Sequence, residues 1–401
     1  MRGSPLAPLP PPGWAPLAVI LGALVVTASS DAREAEPAYA AWSASPLPID
    51  ETGLDDVERD ALSRCGRGEA GLREVARALL ARKLAGESLP ELDGIAREQR
   101  AAGEPHPWPR AWSAKVRTFD SAAARAATFS QLDAWLGSAV VPLRRCGVAT
   151  GIASDGSHTV VVVTVEALAD LAPLPTRART GQWLTVEAHL RAPAPAASVL
   201  VMDAAGAPRT VPSWIEGNVV RARFATQRPG ELDVQVIADV SGGPRPVLEA
   251  TVFVDAEPSR GIDDQPAPGE HEGGAPPEDD ELARMISAAR APFGLPPLRR
   301  DPRLDRLARQ HAGVMAAAHE LAHDAGDGDP LDRMHEAGLD PHLAGENVAH
   351  APTLPLAHRA LWTSPSHRLN LLGRAYERMG LGVVRDARGE VWVVETFAAG
   401  L

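Results

Sequence analysis

Two stretches near the C-terminus decide how this chain is read. They are Gly345-Glu346-Asn347-Val348-Ala349 and Trp362-Thr363-Ser364-Pro365-Ser366-His367-Arg368-Leu369-Asn370-Leu371-Leu372. Outward from them, Leu354 to Trp362 and His367 to Leu372 read as short helices, as does Leu331 to Ala337. Met379 to Val384 and Val391 to Phe397 read as closing strands, with Arg388-Gly389 in their turn. Upstream, Asp279 to Arg290 reads as a helix with acidic residues in its first turn, which the helix dipole favours. Gly294-Leu295-Pro296-Pro297-Leu298 ends it. Asp301 then caps a further helix with Pro302 at its first position, burying Leu304, Leu307, Ala308, His311, Ala312 and Met315.

These blocks, with Leu321-Ala322-His323-Asp324 and Asp327-Gly328 between them, resemble in order and spacing the bacterial form of the CAP superfamily. That superfamily includes cysteine-rich secretory proteins, antigen 5 and plant pathogenesis-related proteins. The resemblance begins at about Asp279 and covers less than a third of the chain. It implies an α/β/α sandwich with two histidines and a glutamate at one cleft, carried here onto His323, Glu346 and His367. Neutral imidazoles bind a divalent metal such as zinc, and a nearby carboxylate orients an imidazole or accepts a proton. The trio is thus a catalytic candidate, with His323 and His367 the metal-ligand candidates. A purely structural hydrogen-bond cluster is the other reading. Asn347, Arg368 and Asn370 are ligand-binding candidates, although the two asparagines also suit a role in fixing backbone and Arg368 a role in an ion pair. The chain departs from many relatives outside bacteria, which carry a second glutamate where Ser364-Pro365-Ser366 stand.

A rival motif overlaps the first. His319-Glu320-Leu321-Ala322-His323 is a literal H-E-x-x-H, with Asp329 in the position of a third ligand. On a helix, His319 and His323 would share a face, bind zinc and leave Glu320 as general base of a metalloprotease. It leaves the two downstream blocks unexplained, and a linker and two helices precede it where a metalloprotease of this type places strands.

The fold class expected is multidomain α+β: an α+β N-terminal unit, a small immunoglobulin-like β-sandwich and the C-terminal α/β/α CAP domain. Residues 1–40 read as a signal peptide or retained N-terminal anchor, from Arg2, the apolar run Trp14 to Ala28 and the small residues after it. Residues 41–170 form the α+β unit, with helices predicted over Asp55 to Ala85 and Ser121 to Leu136 and a strand over Thr159 to Val165. The Gly-and-Val pattern from Cys146 to Val163 echoes that from Met379 to Val394, so this unit reads alternatively as a degenerate copy of the C-terminal domain that has lost its site. Residues 171–256 hold short strands separated by Gly and Pro turns, as in a small sandwich or barrel. Residues 257–280 read as an acidic, Pro- and Gly-rich flexible linker, and 281–401 as the CAP domain.

The net charge of −12 supplies no basic footprint for nucleic acid, and that class is set aside. Export favours joining Cys65 to Cys146, the only two cysteines, over leaving two buried thiols. The location expected is secreted, periplasmic or cell-envelope, with membrane contact only through a retained N-terminal segment. Three functions stay open: a cleft binding a lipid, glycan, peptide or divalent metal; an extracellular hydrolase; and a structural or adhesive surface protein. The partner is an unknown small ligand or envelope component.

Overall fold

The computed structural model describes residues 41–42, 49, 51–90, 92–138, 142–241, 243–258, 265–270 and 277–401. The segment read as a signal peptide or anchor lies outside them. Among the described residues no helix is long and apolar enough to cross a membrane. Pro37–Leu401 forms one compact unit.

In its first part, β1 (Ala41–Trp42) precedes α1 (Asp56–Cys65), β2 (Arg67–Gly68), α2 (Ala70–Leu84) and α3 (Leu92–Ala102). Then come β3 (Arg110–Val116), α4 (Ala122–Gly137), β4 (Arg144–Ile152) and β5 (His158–Glu166). The helix expected over Asp55–Ala85 is therefore two helices. Apolar spacing runs on across the break, but Gly66 takes φ 134° and Arg67-Gly68 pair with β4. Asp55 and Glu58 close a capping box at the start of α1. The sheet order is β2-β4-β5-β3. On one face α2 packs Leu72, Val75 and Leu79 against Ala149, Val161 and Val163. On the other, α1 and α4 pack Leu62, Phe129 and Leu132 against Val148, Val160 and Val162. Cys65 and Cys146 are bonded there, with Cα atoms 6.2 Å apart.

Next follow β6 (Ala169–Leu171), β7 (Leu174–Pro175), β8 (Arg177–Ala178), β9 (Trp183–Leu190) and β10 (Ala197–Met202). The series continues with β11 (Arg209–Val211), β12 (Ser213–Glu216), β13 (Val219–Ala225), β14 (Gly230–Val240) and β15 (Gly243–Val254). They form two sheets, β11-β10-β14-β15-β8 and β12-β13-β9-β6, while β7 pairs with β1. Alternate residues such as Leu184, Val186, Val220, Ala222, Val234 and Val236 fill one core between the sheets. Period-two burial is what half-buried antiparallel strands require.

Gln265–Glu270, inside the stretch expected as a flexible linker, packs on the domain that follows. Ala267 is buried, and Arg359 donates to Glu270 at 2.9 Å. The C-terminal part comprises α5 (Glu278–Arg290), β16 (Arg299–Arg300), α6 (Pro302–Ala318) and α7 (Pro330–Glu336). It closes with β17 (Leu343–Ala351), α8 (Leu354–Thr363), α9 (Pro365–Leu371), β18 (Arg378–Arg385) and β19 (Val391–Ala399). Asp301 caps α6 as expected, with Pro302 at its first position. The sheet order is β16-β18-β19-β17.

This order repeats that of the N-terminal sheet strand for strand. In each, a two-residue strand pairs parallel to the first strand of a hairpin, and the remaining pairs are antiparallel. The helices fall alike, with α2 and α6 on one face and α1, α4, α5 and α8 on the other. Backbone N–H groups at the two helix starts match: Glu69 donates to the Cys146 carbonyl and Asp301 to that of Met379, both at 2.9 Å. Glu69 pairs with Arg145 at 3.2 Å, and Asp301 with Arg378 at 3.1 Å.

Candidate functional site

The site lies at the edge strand β17. Helix α6 ends at His319, whose backbone takes φ 51°, and the chain then runs irregularly to α7. His323 sits in that irregular segment. Its Nδ1 lies 3.0 Å from Glu346 Oε1, in hydrogen-bond contact with the carboxyl group. Arg333, from α7, donates to Glu346 Oε2 at 2.6 Å and to the His323 carbonyl at 2.8 Å. Glu346 is buried, and both its oxygens are engaged.

His367 comes from α9. Burial, and then the neighbouring His323, push its pKa down to about 4, so the ring is neutral at ordinary pH. Its Nδ1 is buried without a hydrogen-bond partner. The structure therefore brings His323 and Glu346 into direct contact and sets His367 beside His323. A neutral imidazole with an unclaimed nitrogen stands beside one whose Nδ1 meets a carboxyl group, the usual support of a metal-bound histidine.

The candidate ligand binders are engaged with protein groups. Asn347 donates to the His367 carbonyl at 3.1 Å and to Glu395 Oε2 at 2.9 Å. Asn370 donates to Asn347 Oδ1 at 2.9 Å and to the Glu346 carbonyl at 3.1 Å. Arg368, the third of these candidates, stacks its guanidinium on Trp362 at 3.9 Å and donates to the Gly206 carbonyl at 3.2 Å.

The H-E-x-x-H reading is corrected. It needs its two histidines on one helical face, but His319 terminates α6 and is exposed. Its ring lies 6.4 Å from that of Trp392, whereas His323 turns to Glu346. Asp329, the supposed third ligand, caps α7 by accepting from Leu331 and Asp332 backbone N–H groups at 2.8 and 2.9 Å.

Three contributors escaped the sequence reading. Arg333 is one cation in a short helix, and nothing local marks it as the clamp of Glu346. Glu395 is the sole charge in Val391–Phe397, a signal that was visible; it is fully buried, and burial raises its pKa to about 7. Gln235, on β14, accepts from the Ser366 backbone N–H at 2.9 Å and donates to Ser364 at 3.2 Å, next to His367. A Cβ built on Gly243 would come within 3.3 Å of that of His323, so the β14–β15 turn also borders the site.

The model of the cysteine-rich secretory protein family, CAP, matches residues 283–397. These residues are a CAP domain. An outer surface protein of Borrelia burgdorferi is similar at 21% identity, over 31% of this chain and 93% of that one, with a TM-score of 0.30. An extracellular protein containing an SCP domain from Bacillus anthracis is 14% identical, over 58% of this chain and 86% of its own, with a TM-score of 0.28. A cysteine-rich secretory protein of Staphylococcus aureus is 13% identical over 58% and 84%, with a TM-score of 0.26. No curated protein matches.

Proposed function

We propose that this is a secreted or envelope-located protein whose CAP cleft binds a small ligand or a divalent metal through His323 and His367, with Glu346 orienting His323. The observation that carries the reading is the buried, unpartnered Nδ1 of a neutral His367 beside a histidine already oriented by a carboxylate. Arg333 and His323 each hydrogen-bond one oxygen of Glu346, which suits that carboxylate to orienting His323. Asn347 and Asn370 hold the backbone of His367 and Glu346 in place.

The same reading makes residues 41–170 a degenerate CAP copy and 171–256 an immunoglobulin-like sandwich that borders the cleft. Register supports the first part. With Gly147 aligned on Gly380, the position of Glu346 is held by Ala111, that of Asn347 by Trp112 and that of Glu395 by Val162. Residues 1–40 serve as signal peptide or anchor, and 257–280 join the sandwich to the CAP domain at 281–401.

Zinc titration of the full chain by calorimetry tests the cleft assignment. His367→Ala is expected to weaken cleft binding at least tenfold, and His319→Ala to leave it unchanged. Loss with His319→Ala and retention with His367→Ala would overturn it.

A further inference from the structure

Helix α9, which carries His367, is only seven residues long and begins with Pro365. A helix that short is not stable by itself, and its first N–H groups find no partner inside it. The usual remedy is the side chain of the preceding residue, here Ser364, accepting from an N–H of the first turn. Ser364 makes no such bond. Its hydroxyl is taken up by the Gln235 amide at 3.2 Å and the Ser366 hydroxyl at 3.3 Å.

The cap comes from β14 instead. Gln235 is 2% exposed, and its Oε1 accepts from the Ser366 backbone N–H at 2.9 Å. Besides donating to Ser364, its Nε2 donates at 2.7 Å to Glu249 Oε1, directly across the β14–β15 pair. The amide oxygen and both amide hydrogens are therefore used, which fixes the way round that the group sits. Behind it, the Glu249 backbone N–H donates to the Pro105 carbonyl at 2.8 Å, so the strand pair is itself held by the first part of the chain.

Two further contacts converge on the same place. Arg368, the residue after His367, donates to the Gly206 carbonyl in the turn after β10. A Cβ on Gly206 would lie 2.9 Å from that guanidinium nitrogen, so the turn fits closely against α9. On the other side, Gly243 meets His323. The sandwich thus touches the residues flanking one histidine of the cleft and the second histidine itself.

We propose that Gln235 is a positioning residue for the CAP cleft: by capping the first turn of α9 from the sandwich it sets His367 against His323, so the site is built jointly by the sandwich and the CAP domain. This rests on the reading of His323 and His367 as the binding pair. His367 directly follows the capped Ser366 N–H, in the turn that frays first when a short helix loses its cap.

The test is Gln235→Met in the full chain, which keeps the length of the side chain and removes the amide. Amide hydrogen exchange at Ser366 and His367 is expected to quicken about fivefold, the usual worth of one helix cap, with α8 and β17 unchanged. The imidazole carbon–proton NMR signal of His367 at pH 7 should move, while that of His350, later on β17, stays in place. In calorimetry the zinc dissociation constant should rise about fivefold, because only the intact first turn presents His367. A role in general packing would quicken exchange across α8, α9 and β17 alike. That result, or a His367 signal identical to wild type, overturns the proposal. So does an unchanged zinc affinity in a wild type that binds zinc. A wild type that binds no zinc sinks the cleft reading, and the exchange pattern with the His367 signal then decides the positioning alone. Should Gln235→Met not fold, Gln235→Asn takes its place with the same expectations, since its amide stops one methylene short of Ser366.

Discussion

Two parts of this chain share one topology, yet only one carries the His323–Glu346 pair on its edge strand. The N-terminal sheet β2-β4-β5-β3 and the CAP sheet β16-β18-β19-β17 agree in order, direction and flanking helices. What differs is chemistry at matched positions. Glu346, Asn347 and Glu395 stand where Ala111, Trp112 and Val162 stand in the first sheet. The matched ion pairs diverge as well. Hydrogen bonding to Arg303 holds Asp301 down to a pKa of about 2, whereas burial raises Glu69 to about 7. The same backbone frame therefore tolerates opposite electrostatics, provided the apolar layers on both faces survive. The frame is set by packing and the site by a handful of polar side chains on one edge strand and its neighbours.

The largest expected difference between the two parts comes from the disulfide. Cys65–Cys146 closes a separation of 81 residues, and the position matching Cys146 is Met379, which has no cross-link. Loop-closure entropy assigns such a bond about 4 kcal/mol. Cys65→Ala with Cys146→Ala is expected to reduce unfolding free energy by that amount. Hydrogen-exchange protection should fall in β2, β4 and β5 and stay unchanged in β16 to β19. Equal loss in both sheets would show that they unfold together and that the bond supports the whole unit.

A smaller effect tests whether the sheets are matched in register. A Cβ on Gly147 would lie 2.0 Å from the Leu72 carbonyl carbon, and one on Gly380 would lie 2.2 Å from that of Leu304. Both glycines let a helix backbone approach the strand below it, where no side chain can move aside. Gly147→Ala and Gly380→Ala are each expected to lower stability by about 3 kcal/mol in urea unfolding. If only Gly380→Ala is destabilising, the alignment of Ala111 with Glu346 loses its anchor.

Much of the CAP domain was legible because its blocks are local. Asp301-Pro302 starts a helix, and Gly345-Glu346-Asn347 with Ser366-His367-Arg368 supplies the site strand and helix within short windows. The Gly-and-Val echo between Cys146–Val163 and Met379–Val394 was visible as a pattern, but register depends on cross-strand pairing that no local window contains. Gly66 split one apparent helix because a strand partner far along the chain recruits Arg67 and Gly68. H-E-x-x-H is set aside by the structure because its spacing is meaningful only on a helix, and His319 adopts a left-handed backbone that stops one. Arg333 and Gln235 were invisible, since each acts through tertiary contact with a residue from a different element.

Glu395 offers the finest division between the two sheets, because its counterpart Val162 cannot titrate. Its carboxyl is fully buried, one oxygen accepts from Asn347 and the other has no partner. Burial raises its pKa from 4.5 to about 7, the Asn347 hydrogen bond opposing that shift only in part. The folded state therefore binds this proton more tightly than the unfolded chain. The stability it contributes is complete below about pH 4.5 and is lost as pH rises through 7. At 1.36 kcal/mol per pKa unit the full loss amounts to about 3.4 kcal/mol. Glu395→Gln keeps the shape and stays neutral throughout. Relative to wild type, this variant is expected to gain stability progressively from pH 5 to pH 8 in urea titrations. Parallel wild-type and variant profiles across that window would mean that Glu395 stays ionised in the folded protein, and that Asn347 faces a carboxylate at neutral pH.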